Sequence, residues 1–440
     1  MKKSRYNLFL NLEDTKLAFN GMTCALAEVD GEFDKIYSDI ENVDINLIDE
    51  KSKKLISDMK AGGYIIDDTC DEIKILKYRN QRGKFDTDFV SLVIAPTMAC
   101  NFACPYCYEK AKSGIMSEKV QNKLIEIVEN SAKMKKRIDV TWYGGEPLLA
   151  KKVIYSLSEK FIELCEKYNV DYYAGIITNG YLLSEGDEEL FKKYKIHDIQ
   201  ITIDGTRDIH NKRRILKKDP EKGTFDTIIT NIERLYNAGL EIDIRVNIDK
   251  NNIGDTKELI LFFKEKNMTK LNINFGHVSA YTEFNENIEN ECLSMANYAA
   301  ESLLLQEFLF ENGFDASGFP YYPGIKGNYC GADSISTYVI DAEGYKYKCW
   351  NEVGNIKEAV GNILIDSENY QDKWISREIE YMTWNPFENE LCMSCDILPI
   401  CMGGCPYNGV SKGDQKCERW KFSLSKSLIK MYEQKKEAME

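Results

Sequence analysis

The sequence has only 3 histidines and 9 prolines in 440 residues, and no uninterrupted apolar run long enough to span a bilayer. His197, His210 and His277 have no mutual spacing that suggests a metal site or a catalytic triad, although His277 ends a predicted strand and could face a pocket or simply pack. Positive charge is short as well. The 57 Lys and Arg against 71 Asp and Glu leave a net charge of −14, which argues against a nucleic-acid binder, because neutralising phosphates takes clustered cations. The N-terminus, MKKSRYNLFLNLED, has acidic and amide residues where a signal peptide needs an apolar core. These absences predict a cytoplasmic chain with neither nucleic acid nor membrane as partner. At roughly 100–200 residues per domain, the length allows two to four domains.

Cysteine, by contrast, is plentiful, with 14 residues. In a reducing compartment they are not expected to form a disulfide framework. Cys24, Cys70, Cys165 and Cys292 are scattered and read as small buried hydrophobes, although Cys292 also precedes the C-terminal cysteines. The others cluster. Cys100, Cys104 and Cys107 form one knot, and Cys330, Cys349, Cys392, Cys395, Cys401, Cys405 and Cys417 crowd the last quarter of the chain. So many grouped thiols beside so few imidazoles favour sulfur-ligated metal centres.

Residues 1–88 alternate apolar and polar and then take on helical spacing, which suits a small winged-helix-like module or an extension covering a neighbouring sheet. From about residue 90, Val- and Ile-rich runs at 91–97, 137–143, 172–178, 198–204, 241–248 and 271–277 alternate with helical patterns at 116–134, 150–168, 186–195, 224–238 and 255–267. Six β-α units predict an α/β fold with a parallel sheet, a barrel or partial barrel over 89–315 whose chemistry collects at the C-terminal ends of its strands. A helix-like segment at about 285–313 and a Gly- and Tyr-rich connector lead into 316–440. There the cysteines leave few residues for a large apolar core, so metal centres are expected to hold that end together.

Cys100, Cys104 and Cys107 sit on the loop after the first barrel strand, where three thiolates can hold three irons of a 4Fe4S cluster and leave the fourth open. A structural zinc site would need a fourth ligand, and none lies nearby. With Tyr106 before the last cysteine, this CxxxCxxC loop resembles the radical S-adenosylmethionine (SAM) enzymes. The resemblance implies that the open iron binds SAM and that the cluster's electron cleaves it to a 5′-deoxyadenosyl radical, which abstracts a substrate hydrogen. Gly144, Gly145, Glu146 and Pro147 follow the second strand, where the family binds the SAM amino group. By the same resemblance Asn179 and Thr202 approach the ribose or carboxylate, and Arg214, or Arg213 in its place, pairs with the carboxylate.

The C-terminal pattern resembles the SPASM domain, the auxiliary-cluster module of radical SAM enzymes that modify peptides and proteins. Carried over by position, Cys392, Cys395, Cys401 and Cys417 close auxiliary cluster II, while Cys330, Cys349 and Cys405 hold auxiliary cluster I. This implies three 4Fe4S clusters in all. Some relatives have one more cysteine shortly after the first, but here GADSIST has no thiol, so auxiliary I is expected to keep an open iron unless Cys292 or another side chain folds in. An open iron suits capture of a substrate thiolate, whose sulfur could bond a carbon radical to give a thioether while the cluster accepts the surplus electron. It suits plain electron transfer equally.

The expected activity is maturation of a ribosomally made, cysteine-containing precursor peptide with a leader, forming Cys sulfur-to-carbon thioethers of the sactipeptide or ranthipeptide type. An electron donor such as flavodoxin or ferredoxin is implied as a further partner. The alternatives are an anaerobic sulfatase-maturing enzyme, which forms formylglycine, and a maturase that makes carbon–carbon links or epimerises residues. The sulfatase-maturing type resembles Cys-Asp at the second auxiliary cysteine, the Asp serving as base. Here the pair is Cys349-Trp350, and an indole cannot take a proton.

Overall fold

A computed structural model describes residues 1–109, 112–280, 282–314, 322–365, 372–413 and 415–437. Contacts divide them into two compact units. One comprises the described residues of Met1–Phe85, Pro320–Cys330 and Trp384–Glu440, the other those of Asp86–Phe319 and Gly331–Thr383. The segment 316–440 thus contributes to both, and its boundary at 315/316, like connector residues 317–321, lies outside the described residues.

In the first unit, β1 (Lys2–Lys3) pairs antiparallel with β5 (Ile65–Ile66), while β2 (Asn7–Asn11), β3 (Lys16–Asn20) and β4 (Ala25–Val29) form an antiparallel meander. Helices α1 (Gly31–Asp39), α2 (Glu50–Ala61) and α3 (Glu72–Lys84) each begin after an aspartate, Asp30, Asp49 and Asp71, whose carboxylate accepts from an orphan N–H of the first turn. Successive side chains of a strand point to opposite faces, and both faces of β3 are covered. Ala18 faces Phe33, Ile40, Ile56, Met59 and Tyr64, whereas Leu17 and Phe19 join Ile397, Ile400, Trp420, Leu424 and Leu428 from the end of the chain. The C-terminal segment therefore does have an apolar core, contrary to the sequence-based expectation, because the N-terminal sheet supplies the other half of it.

The second unit begins with six parallel strands in sequential order, β6 (Phe89–Ile94), β7 (Arg137–Trp142), β8 (Asp171–Thr178), β9 (Ile196–Thr202), β10 (Ile242–Ile248) and β11 (Asn272–His277). Helices α4 (Glu118–Ala132), α5 (Lys151–Tyr168), α6 (Asp187–Lys193), α7 (Arg207–Arg213), α8 (Phe225–Asn237) and α9 (Thr256–Glu265) fall between them, and α10 (Met295–Glu311) follows. The six strands and five of these helices match the sequence reading to within a few residues. The helix read at 285–313 is broken: a 3-10 turn covers Glu286–Glu291, and α10 starts only where the Ser294 hydroxyl caps Asn297 N. Past β6 the sheet continues through β12 (Thr337–Ile340), parallel to it, then β13 (Tyr345–Tyr347) and β14 (Gly361–Asn362), both antiparallel. The outermost strands β11 and β14 do not pair, so the six-strand barrel is a partial (β/α)6 barrel extended on one side.

The barrel strands alternate in burial, most plainly in β10, where Ile242, Ile244, Val246 and Ile248 are buried and Asp243, Arg245 and Asn247 are partly exposed. Parallel strands covered on both faces read as continuous apolar runs. Here the helix-facing side makes the core, with Trp142, Phe161, Phe191, Ile201 and Phe263 fully buried, while the opposite side is polar along β10 and β11 and joins a second apolar cluster through Val93 at β6. Helix α11 (Asp372–Thr383) ends this unit, and α12 (Glu390–Met393), α13 (Leu398–Cys401), α14 (Pro406–Ser411) and α15 (Trp420–Glu437) return to the first. No described helix is long and apolar enough to cross a membrane.

Because Leu17 packs against α15 residues, Leu17→Ala should destabilise the first unit by about 2–5 kcal/mol. Hydrogen exchange should then speed up in Trp420–Glu437 as well as in β3, and unchanged exchange in α15 would separate the two segments.

Candidate functional site

The loop after β6 carries Cys100, Cys104 and Cys107, and Cys107 N donates to Cys104 O at 3.1 Å to close its turn. Burial is the main cause that pushes the Cys100 and Cys107 thiols up to about 12, with the neighbouring thiols and Glu146 or Glu109 adding to it. Such thiols stay protonated until a metal takes the proton's place. Among the described residues no three His, Cys, Asp or Glu side chains converge as a site for a single ion.

The Gly144-Gly145 pair explains how β7 meets this loop. Gly144 has φ +114°, and a β-carbon there would stand 2.4 Å from Thr97 O, while one at Gly145 would stand 2.4 Å from Ala99 O. Only glycine permits that approach. Pro147 opens a 3-10 turn, Pro147–Ala150, capped by Glu146, whose Oε1 accepts from Leu148 N at 2.9 Å and from Thr178 Oγ1 at 2.7 Å. Glu146 Oε2 accepts from Asn179 N at 2.8 Å. Both carboxylate oxygens are thus engaged within the chain, although burial still raises the carboxyl's pKa. Asn179 Nδ2 donates to Asn101 Oδ1 at 2.8 Å, and Thr202 is buried at the end of β9.

The two arginines at the end of α7 divide their roles. Arg213 donates to Asp249 Oδ2 at 2.7 Å and to Asn247 O at 3.1 Å, and lies over the Tyr106 ring. Arg214 Nη1 points at the cysteine loop, 3.4 Å from Cys104 Sγ and 3.0 Å from the Tyr106 hydroxyl. That hydroxyl donates to Asp204 and accepts from Asn247 Nδ2 at 3.4 Å. Sequence reasoning treated Tyr106 only as a motif residue and missed Asn247, Asp249 and Asn101; the polar residues alternating along β10 were the available signal.

Trp350 packs on Tyr143 with ring centroids 4.5 Å apart. Tyr143 in turn is hydrogen-bonded to the Tyr108 hydroxyl at 2.5 Å and to Glu109, whose carboxyl burial pushes up to about 7. Cys349 is buried before the turn Trp350–Glu352, in the second unit. Cys330, Cys392, Cys395, Cys401, Cys405 and Cys417 lie in the first, where Lys421 Nζ is 3.5 Å from Cys395 Sγ. The Cys292 thiol donates to Ile288 O at 3.4 Å. Both ring nitrogens of His277 are engaged, with Leu293 O and Ser279 Oγ, which is a packing role.

The residues of the cysteine loop fit an iron–sulfur cluster with a bound organic ligand. Asn101 Nδ2 and Arg214 Nε are buried donors with no partner, on the loop and facing it. Three soft thiols with an arginine aimed at one of them suit a sulfur-rich, electron-rich group. Gly145→Ala should therefore drive β7 and the loop apart, and iron bound per chain after reconstitution should fall by about one cluster's worth. Full iron content in that variant would show that the close approach is dispensable.

The Radical SAM superfamily model matches residues 94–263. The chain is 24% identical over 382 residues to a cysteine-type anaerobic sulfatase-maturating enzyme of Clostridium novyi, covering 78% of this chain and 96% of that one. Among solved structures, native anSMEcpe with bound AdoMet and Cp18Cys peptide superposes with a TM-score of 0.59 at 22% identity, covering 78% of this chain and 98% of the other. Streptococcus suis SuiB bound to precursor peptide SuiA superposes with a TM-score of 0.55 at 15% identity, covering 95% of this chain and 98% of the other. Residues 94–263, which hold the thiol loop, Glu146 and Arg214, are thus similar to a radical SAM domain.

Proposed function

We propose that this chain is a radical SAM enzyme that modifies a ribosomally made precursor peptide, joining a cysteine sulfur to a carbon of the same peptide. The observation that carries the peptide reading is the extent of the SuiB likeness, which spans 95% of this chain and so takes in the β2–β4 module ahead of the barrel. SuiB was solved with its precursor peptide. A half-buried indole, Trp350, follows Cys349, and no proton acceptor occupies that position.

When bound, a 4Fe4S cluster and SAM supply a hydrogen-abstracting radical. Cys100, Cys104 and Cys107 would hold that cluster, Arg214 would donate to the Cys104 sulfur, and Asn101 Nδ2 would donate to a bound group. Glu146 keeps the ends of β7 and β8 in place through its three donors. The seven C-terminal cysteines are assigned to two auxiliary clusters. The net reaction balances: SAM, one C–H and one S–H give methionine, 5′-deoxyadenosine, one C–S bond and a proton.

Formylglycine formation on a sulfatase is the second reading, favoured by the 382-residue similarity to the Clostridium novyi enzyme. One experiment separates them. A small cysteine-containing precursor peptide, incubated anaerobically with reconstituted enzyme, SAM and reductant, should lose two hydrogens per link, and each linked thiol should resist alkylation even after disulfide reduction. Loss of two hydrogens with every thiol still reactive would refute the thioether. Conversion of a sulfatase-motif Cys or Ser to formylglycine, with that peptide untouched, would establish the second reading.

A further inference from the structure

On the polar face of the barrel, Arg245 is held by a single partner. A guanidinium has five N–H donors, yet among the described residues Arg245 makes a single hydrogen bond, from Nε to Asn247 Oδ1 at 3.2 Å, and no ion pair. Arg213 and Arg214, by contrast, are committed to Asp249, Tyr106 and the cysteine loop.

Arg245 is also seated. In the register of β10 and β11 it stands opposite Asn274, while Gly276 stands opposite Asn247. A β-carbon at Gly276 would nonetheless lie 2.1 Å from Arg245 Nε and Nη2, so the side chain leans toward the C-terminal end of the strands and lies flat on the glycine. Asn247 holds it from one side and reaches the Tyr106 hydroxyl, next to Cys107, from the other. The fork is thus one side chain away from the cysteine loop. It is partly buried, and leaving a half-desolvated cation unneutralised costs free energy that an incoming anion would offset.

A planar cation, pre-oriented on a glycine floor and open along one edge, matches the bidentate geometry of a carboxylate. We propose that Arg245 receives a carboxylate of the substrate peptide and so orients the peptide at the reacting end of the barrel. This rests on the peptide reading above and narrows it to a substrate with an acidic side chain or a free C-terminus near the modified residue.

The test uses probes that need no turnover. Saturation-transfer NMR on the reconstituted, SAM-loaded enzyme would compare N-acetyl-aspartate N-methylamide, N-acetylglycine and N-acetyl-asparagine N-methylamide. A carboxylate probe should bind and the amide should not, with the first two separating side-chain from C-terminal recognition. Arg245→Gln should weaken the bound probe by about tenfold or more, the loss of a charge-assisted pair. Arg245→Lys should retain part of the binding, and Gly276→Ala, which removes the floor, should mimic the glutamine variant. Equal probe binding by wild type and Arg245→Gln overturns the proposal. So does a tenfold loss of SAM affinity by equilibrium dialysis with the probe unaffected, which would assign the guanidinium to the cofactor. Because the probes contain no cysteine, failure of thioether formation leaves this result standing, and silent probes on an enzyme that still cross-links its peptide refute the Arg245 assignment alone.

Discussion

The carboxylate of Glu146 sits where three segments of chain meet, and the reacting end of the barrel depends on its hydrogen bonds. It accepts from Leu148 N in its own turn, from Thr178 Oγ1 and from Asn179 N at the end of β8, while its N–H donates to Ala99 O in the cysteine loop. The side chain is fully buried, so each partner counts: a buried acceptor left without its donor costs about 1–3 kcal/mol. The two glycines before it follow from the same constraint, since the strand end must touch the loop backbone for Glu146 to reach across.

Charge in the site is arranged in pairs around Asp204. Its carboxylate accepts from the Tyr106 hydroxyl and from Asn247 N, and Arg213 Nε lies 3.7 Å from it. Arg213 is thereby held in the scaffold with Asp249, which frees Arg214 to face the thiols. Two adjacent arginines thus have opposite duties because Arg213 is the last residue of α7, whereas Arg214 caps it with the backbone already out of the helix.

The barrel was readable in the sequence because its strands are β-branched runs separated by amphipathic helices, and those periodicities survive folding. The thiol loop was readable because its spacing is chemical. Strands β12 to β14 were not, being short and set among cysteines, where no period can develop. The packing of Leu17 and Phe19 against Trp420 and Leu424 was also hidden: alternation along β3 announces a sheet, yet it does not say what covers the second face. Arg245 and Asn247 were visible as polar residues in a strand pattern, but their diagonal seat on Gly276 depends on register, which only the folded sheet defines.

That shared core has a consequence for synthesis. Phe19 leaves the ribosome about 400 residues ahead of the Trp420 and Leu424 that cover it, so at about 5–20 residues per second one face of β3 stays open for about 20–80 s. During that interval the meander presents Leu17 and Phe19 to solvent, and the first unit is completed only after the barrel strands have been made. Premature termination between β11 and α15 would release a chain whose N-terminal sheet is still exposed, a species for holdase chaperones and proteases to recognise.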